Sequence, residues 1–302
     1  MNDERRGFLL GVSAYGLWGL FPVYWTLLEP AGAVEILAHR ICWSLLVMVG
    51  LTIALRRTPQ LRGILRSPRL LALLTAASVV IGLNWGGFIW GVNNERVVEV
   101  SLGYFINPLV TVLLGVVVLG ERLRPLQWAA IGIAALAVIG LTVDYGHPPW
   151  VAFLLAGSFG TYGLAKKKAG VEAVESLTFE TLLLAPLALG YLVWLSVNGD
   201  ANFGSHGISH ALLLTSTGIV TAIPLICFGA AAIRVSMTTI GLLQYLAPTI
   251  QFALGLLVFH EEMTPVKWAG FALVWLALVI FTTEALRHRS RQLRMAAEAS
   301  AL

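Results

Sequence analysis

Charge is what this sequence has least of. Only 12% of its 302 residues are Asp, Glu, Lys or Arg, about half the share found in soluble domains. Too few charges are present to dress a water-facing surface, which excludes an ordinary soluble globular protein. The two cysteines, Cys42 and Cys227, both fall inside apolar runs. They read as small buried hydrophobes, with no basis for a disulfide framework and too few ligands for a zinc site. The six histidines set no pair facing another across an apolar layer, which argues against a haem-bearing redox protein. No cofactor and no metal is expected. The net charge of +4 is no nucleic-acid signature, because the basic residues sit in short segments beside the apolar runs.

What the chain does have is apolar length. Hydrophobic residues make up 58% of it, in runs of 18 to 24 residues that recur from end to end. Such runs call for helices crossing a bilayer. The first, from Gly7, has no small-residue cleavage site after it and reads as a retained span. Punctuation by Pro, Gly and charge predicts ten spans at 7–28, 33–55, 70–92, 98–119, 126–143, 149–165, 174–197, 210–233, 236–259 and 265–285. The expected fold class is an all-α polytopic membrane protein.

Lys and Arg set the orientation. With the N-terminus in the cytoplasm, 17 of them lie on the cytoplasmic side: Arg5 and Arg6, the five arginines of 56–69, Arg122, Arg124, Lys166 to Lys168, Arg234, and Arg287, Arg289, Arg291 and Arg294. Only Arg96 and Lys267 lie opposite, and Arg40 is within a span. Both termini are therefore expected inside.

The chain is also written twice, at an offset of 140 residues. Setting Pro108 against Pro248 pairs Leu102 with Leu242, Gly115 with Gly255, Glu121 with Glu261, Pro125 with Pro265 and Trp128 with Trp268. The same offset pairs Ala33-Val34-Glu35 with Ala173-Val174-Glu175. Five spans per copy is an odd number, so the second copy enters the membrane from the opposite side. That predicts two inverted five-helix repeats, 7–143 and 149–285, followed by a basic cytoplasmic tail at 286–302.

Intramembrane polar residues are costly unless paired or facing a cavity. In the second span Glu35 and His39 share a helix face and Arg40 follows. Arg40 is a candidate ligand or a structural pair, and the offset sets it opposite Glu180 in the seventh span. For Glu180 the partners expected are a cation or a proton, with structural pairing as the alternative. Tyr15, Trp18, Pro22 and Trp25 form one stripe on the first span, and Tyr162 stands in the sixth where the first has Trp18. The stripe is either packing or the lining for an organic substrate. Asn84 and Trp85 lie among the glycines of the third span, whose small-xxx-small pairs suit close helix approach. Tyr104 and Asn107 in the fourth span, with Gln244, Tyr245 and Gln251 in the ninth, flank the two repeated prolines, whose bends suit gating walls. Glu121 and Glu261 read as helix-capping acids ahead of Pro125 and Pro265.

The segments YGLWGLFPVYW (15–25), EILAHRICWS (35–44), LNWGGFIWGVNN (83–94), SLGYFINPL (101–109), GERL (120–123) and LQYLAPTIQF (243–252) together resemble the EamA group of the drug/metabolite transporter superfamily, from about residue 7 to 285. The resemblance implies a bacterial inner-membrane transporter working by alternating access. It implies a central cavity lined mainly by spans 1, 3, 4, 6, 8 and 9, with spans 5 and 10 at the periphery. The expected partners are a small-molecule substrate, the lipid bilayer and, for energy coupling, protons; nucleic acid is not among them. A working monomer fits ten spans in one chain, with a dimer as the alternative. The competing functional class is a membrane-embedded enzyme or scaffold, but no nucleophile–base pair is evident in the sequence.

Overall fold

Twelve helices and no strands make up the described residues, in the order α1 (Asp3–Thr26), α2 (Ala33–Ala54), α3 (Thr58–Leu65), α4 (Pro68–Asn93), α5 (Val97–Leu119), α6 (Pro125–Tyr145), α7 (Trp150–Ala169), α8 (Ala173–Asn198), α9 (Gly207–Ala232), α10 (Met237–Leu243), α11 (Leu246–Leu257) and α12 (Pro265–Ser300). This computed structural model describes residues 3–120, 123–232, 234–235 and 237–300. Glu121 and Arg122, and with them the capping expected of Glu121, lie outside the described residues.

Sequence punctuation sets most boundaries. Pro68, Pro125 and Pro265 are the first residues of their helices, where the missing N–H costs nothing and φ is already helical. Gly120, Gly146, Gly170 and Gly199 end α5, α6, α7 and α8 with φ of 68°, 70°, 62° and 77°, a left-handed turn that only glycine takes without strain. Pro108 lies inside a continuous α5. Its repeat partner Pro248 does not, since the ninth expected span breaks at Gln244–Tyr245 into α10 and α11. Gln244 is the residue whose carbonyl Pro248 cannot serve. The expected tail continues as helix, because α12 runs unbroken to Ser300.

Among the described residues, eight helices are long and apolar enough to cross a membrane: α1, α2, α4, α5, α6, α8, α9 and α12. The lysines ending α7 and the break between α10 and α11 keep the other two expected spans off that count. The outer surface matches a lipid setting. Val117, Val143, Leu187, Val197 and Ile208 are each three-quarters or more exposed, which no water-soluble surface would repeat so widely. The chain is a multi-pass membrane protein.

The two largest apolar clusters among the described residues hold most of the interior. Leu102, Phe105, Ile106 and Leu109 of α5 pack with Leu141 of α6, Phe252 of α11, and Phe271 and Val274 of α12. Phe21 and Trp25 of α1 pack with Ile36 of α2, Phe88 and Ile89 of α4, and Val151 and Leu155 of α7. The helix pairs in closest contact are α6 with α12, α5 and α4 with α7, α2 with α8 and α9, α1 with α9 and α11, and α5 with α11. The third-span glycines act as expected in one such contact. A Cβ on Gly87 would come within 2.6 Å of Leu154 on α7.

Candidate functional site

Residues 39 and 40 are neighbours in sequence and part company in the fold. The His39 ring stacks on Phe203 at 4.9 Å and accepts from Trp43 Nε1 at 3.3 Å. With Glu35 it lines a peripheral crevice of about 390 Å³ between α2, α8 and the loop before α9. Glu35 itself is held by that loop, accepting from the Asn202 amide at 2.7 Å and its side-chain nitrogen at 2.8 Å. Glu35 is a strap for the loop, the structural alternative to a ligand.

Arg40, a hundred degrees round α2, turns into the bundle and is 5% exposed. Its guanidinium lies 4.2 Å from the Trp85 ring of α4, and 5.1 Å and 5.8 Å from Trp25 and Phe21 of α1. The Tyr104 and Tyr24 phenols are within electrostatic reach. Arg40 makes no ion pair among the described residues, and its Nε has no hydrogen-bond partner.

Asn84, 1% exposed, is the hub beside it. Its nitrogen donates to the Leu155 carbonyl and the Ser158 hydroxyl of α7, each at 3.1 Å. Its oxygen accepts from Tyr104 at 3.2 Å, so α4, α5 and α7 meet on one amide. The Tyr104 ring meets Phe159 edge-on at 6.1 Å, and Phe159 meets Tyr162 at the same distance. Tyr162 donates to Glu180 at 3.1 Å.

Glu180 is fully buried, as its depth in the seventh span suggested. The cation expected beside it is the chain's own. Lys166, from the three lysines otherwise assigned to a cytoplasmic loop, lies 3.1 Å from Glu180 Oε1, and Ser176 donates at 2.6 Å. Sequence reading missed Lys166 and Ser176 as partners. Ser176 was findable, since it precedes Glu180 by one turn. Lys166 was not, since it reaches across two helices.

The first-span stripe divides. Trp25 is fully buried against Arg40, whereas Tyr15 and Trp18 gather round Phe228 of α9 at 6.0 Å and 5.8 Å. Gln251 of α11 donates to the Trp18 carbonyl at 3.2 Å, leaving its own oxygen unpartnered. Asn107 Oδ1 on α5 is likewise buried and unpartnered among the described residues. Gln244 and Tyr245 flank the α10–α11 break, and Tyr245 packs on the α5–α6–α12 cluster. The structure thus brings Arg40, Asn84, Trp85, Tyr104, Tyr162 and Glu180 into one connected set, with Tyr15, Trp18 and Gln251 in a second. Gln244 and Tyr245 stand in neither.

Of the two expected capping acids, Glu261 works across the bundle. Glu261, in the loop before α12, accepts from the Val97 amide and, at 3.1 Å, from the Val98 amide. It caps α5, where sequence reading placed it at its own helix. Burial pushes its carboxyl up to about 7, against the opposing pull of those two amides. Among the described residues no three His, Cys, Asp or Glu side chains cluster to hold a metal.

Residues 5–143 match the EamA-like transporter family. The chain is 57% identical over 300 residues to the protein RarD of Streptomyces exfoliatus, covering 99% of this chain and 95% of that one. It is 41% identical over 290 residues to the protein RarD of Escherichia coli (strain K12), covering 96% and 98%. It is 42% identical to an uncharacterized transporter of Vibrio cholerae, covering 97% and 98%. A solved crystal structure superposes with a TM-score of 0.59 at 18% identity, over 93% of this chain and 98% of its own, a likeness of fold alone.

Proposed function

The chain belongs to the EamA-like transporter family, among its RarD proteins, and from that premise we propose that it is a secondary transporter of small organic metabolites or drugs working by alternating access. Its two halves, 7–143 and 149–285, act as inverted five-helix repeats of ten spans in all, with α7 as the sixth and α10 with α11 as the ninth. Both termini lie in the cytoplasm of a bacterial cell, and the protein sits in the inner membrane as a monomer or dimer. The helix contacts support the inverted arrangement. Shifting each element by the repeat offset exchanges α1·α9 with α7·α4 and α1·α11 with α7·α5, and returns α2·α8, α5·α11 and α6·α12 to themselves.

The observation that carries the transport reading is the set of buried polar atoms left without partners among the described residues on facing helices. They include Arg40 Nε, Ser44 Oγ, Asn107 Oδ1, Thr221 Oγ1 and Gln251 Oε1, on α2, α5, α9 and α11. A folded interior pairs such groups or hydrates them, and a transporter leaves them for its solute. Tyr15, Trp18, Arg40, Asn84, Trp85, Tyr104, Asn107, Tyr162, Glu180, Gln244, Tyr245 and Gln251 are the proposed cavity and binding residues. Coupling to protons, where it operates, is assigned to Glu180. The test is uptake of a metabolite panel by purified protein in proteoliposomes, with and without an imposed pH gradient. Movement of at least one solute above empty vesicles is expected, and failure of every solute in both conditions would sink the reading.

A further inference from the structure

The unpartnered groups around Arg40 share a chemical character: each can donate a hydrogen bond. A guanidinium carries five N–H groups in its plane. Here the flat faces are taken by Trp85, Trp25 and Phe21, which leaves the edge. Ser44, one turn further along the same face of α2 and fully buried, has no partner for its hydroxyl among the described residues. Trp25, the ring beside the guanidinium, has no partner for its indole N–H among those residues either. The nearby phenols are already engaged, Tyr104 with Asn84 and Tyr24 with the Leu213 carbonyl and Ser216. No carboxylate pairs with Arg40 among the described residues.

The other half of the chain shows the contrast. At the repeat-related position Glu180 has Lys166 on it and two hydroxyls besides. That buried charge is compensated within the protein, while the one on α2 is not. An uncompensated cation in an apolar setting is retained where something outside the fold answers it.

We propose that Arg40, with Ser44 and Trp25, receives the anionic group of the transported solute, a carboxylate or a phosphate carried on a small apolar body. The anion takes the guanidinium edge, the planar geometry that Arg offers and Lys does not. The hydroxyl and the indole N–H add the further donors a tetrahedral or planar oxyanion accepts. The body of the solute lies against the rings. This rests on the transport reading for the word solute, and on Arg40 alone for the charge.

The test is thermal stabilisation of the full chain in detergent by matched probes, 3-phenylpropionate against 3-phenylpropionamide and phenyl phosphate against phenol, with inorganic phosphate as the bare ion. At least one organic anion should raise the unfolding midpoint while its neutral match does not, and the better of the two pairs tells carboxylate from phosphate. Arg40→Gln should weaken that anion about 100-fold, and Arg40→Lys about tenfold, since the charge stays and the fork goes. Should Arg40→Gln not yield folded protein, Ser44→Ala and Trp25→Phe keep the guanidinium and remove one donor each. Both should weaken the anion several-fold and leave neutral probes unmoved. The proposal is overturned if no anion stabilises, if neutral probes stabilise as well, or if the anion binds Arg40→Lys, Ser44→Ala and Trp25→Phe as tightly as the native chain. Arg40-dependent anion binding with no uptake in proteoliposomes would defeat the transport reading and leave this one. Uptake confined to neutral solutes would do the reverse.

Discussion

Lys166 and Glu180 form an ion pair across α7 and α8, 3.1 Å long, with the carboxylate fully buried and the lysine 21% exposed. The two partners are therefore not equivalent. Glu180→Gln leaves a lysine whose stem can carry its charge toward water, whereas Lys166→Met leaves a carboxylate in the interior. Removing one partner of a fully buried pair costs about 3–5 kcal/mol. With one partly exposed member and the Tyr162 and Ser176 hydroxyls still donating, about 2 kcal/mol is expected for Lys166→Met, and less for Glu180→Gln. The double variant should recover most of the loss. Unfolding midpoints of the two singles and the double, compared as a cycle, check this; additivity would mean the pair is uncoupled.

Proton coupling makes a separate demand on the same carboxylate. If protons drive uptake through Glu180, Glu180→Gln should abolish the pH dependence of uptake in proteoliposomes while leaving expression intact. An unchanged pH profile in that variant would leave Glu180 as a structural partner of Lys166 only.

Glu261 gives a pH dependence of stability. Its carboxyl stands near 7 in the folded protein, against an ordinary 4.5, because burial outweighs the Val97 and Val98 amides. A raised carboxyl favours the folded state when protonated. The penalty is absent below the ordinary value, grows as pH rises from about 4.5 to 7, and is complete above that. The stability of the native chain relative to Glu261→Gln should therefore fall across that window, by about 1 kcal/mol after allowing for partial exposure of the site. Unfolding midpoints of the two proteins measured from pH 4 to 8 decide it, and a difference that is flat or rises with pH would contradict the assignment.

Helix ends and membrane character were legible because each is written locally. Pro68, Pro125 and Pro265 announce helix starts, and Gly120, Gly146 and Gly199 announce ends, within two residues of the expected bounds. The sixth span, expected to end at 165, instead runs on to Ala169 before Gly170 stops it. The depth of Arg40 and Glu180 within their spans was legible for the same reason. Their partners were not. Lys166 reads as one of three loop lysines until the packing of α7 and α8 on α4 brings it to Glu180. Glu261 caps a helix 163 residues upstream, and nothing in a local pattern says which helix end an acid will meet. The break at Gln244 was half visible, since both halves carry the proline. Only the second places it in the first turn of a new helix.

Asn84 should behave as a junction. Asn84→Ala removes two donors and one acceptor at a 1% exposed site and strands the Tyr104 hydroxyl, while the Leu155 carbonyl keeps the Ser158 hydroxyl. A loss of about 2 kcal/mol is expected. Ser158→Ala should cost well under half as much, because the amide keeps its Leu155 and Tyr104 bonds. Unfolding midpoints of the two variants test the ranking, and equal losses would mean the three-helix junction is not centred on the amide.

Two glycines of α9 make opposite predictions from the same substitution. A Cβ on Gly218 would stand 2.5 Å from the Trp43 carbonyl carbon and oxygen of α2, whereas a Cβ on Gly229 would meet nothing within 4 Å. At Gly218 the obstacle is backbone, so no rotamer can yield and the two helices must part. Overpacking of that kind costs about 1–3 kcal/mol. At Gly229 the added methyl only restricts the unfolded chain and improves helix propensity, a gain of about 0.5 kcal/mol. Gly218→Ala should therefore lower the unfolding midpoint and Gly229→Ala raise it slightly. Uptake per folded molecule gives a second reading. Because α2 carries Arg40 and α9 packs directly against it, forcing the pair apart should reduce uptake by Gly218→Ala beyond what lost protein explains. Full activity in the surviving Gly218→Ala protein would mean that the α2–α9 contact holds the fold together without setting the geometry of the Arg40 site.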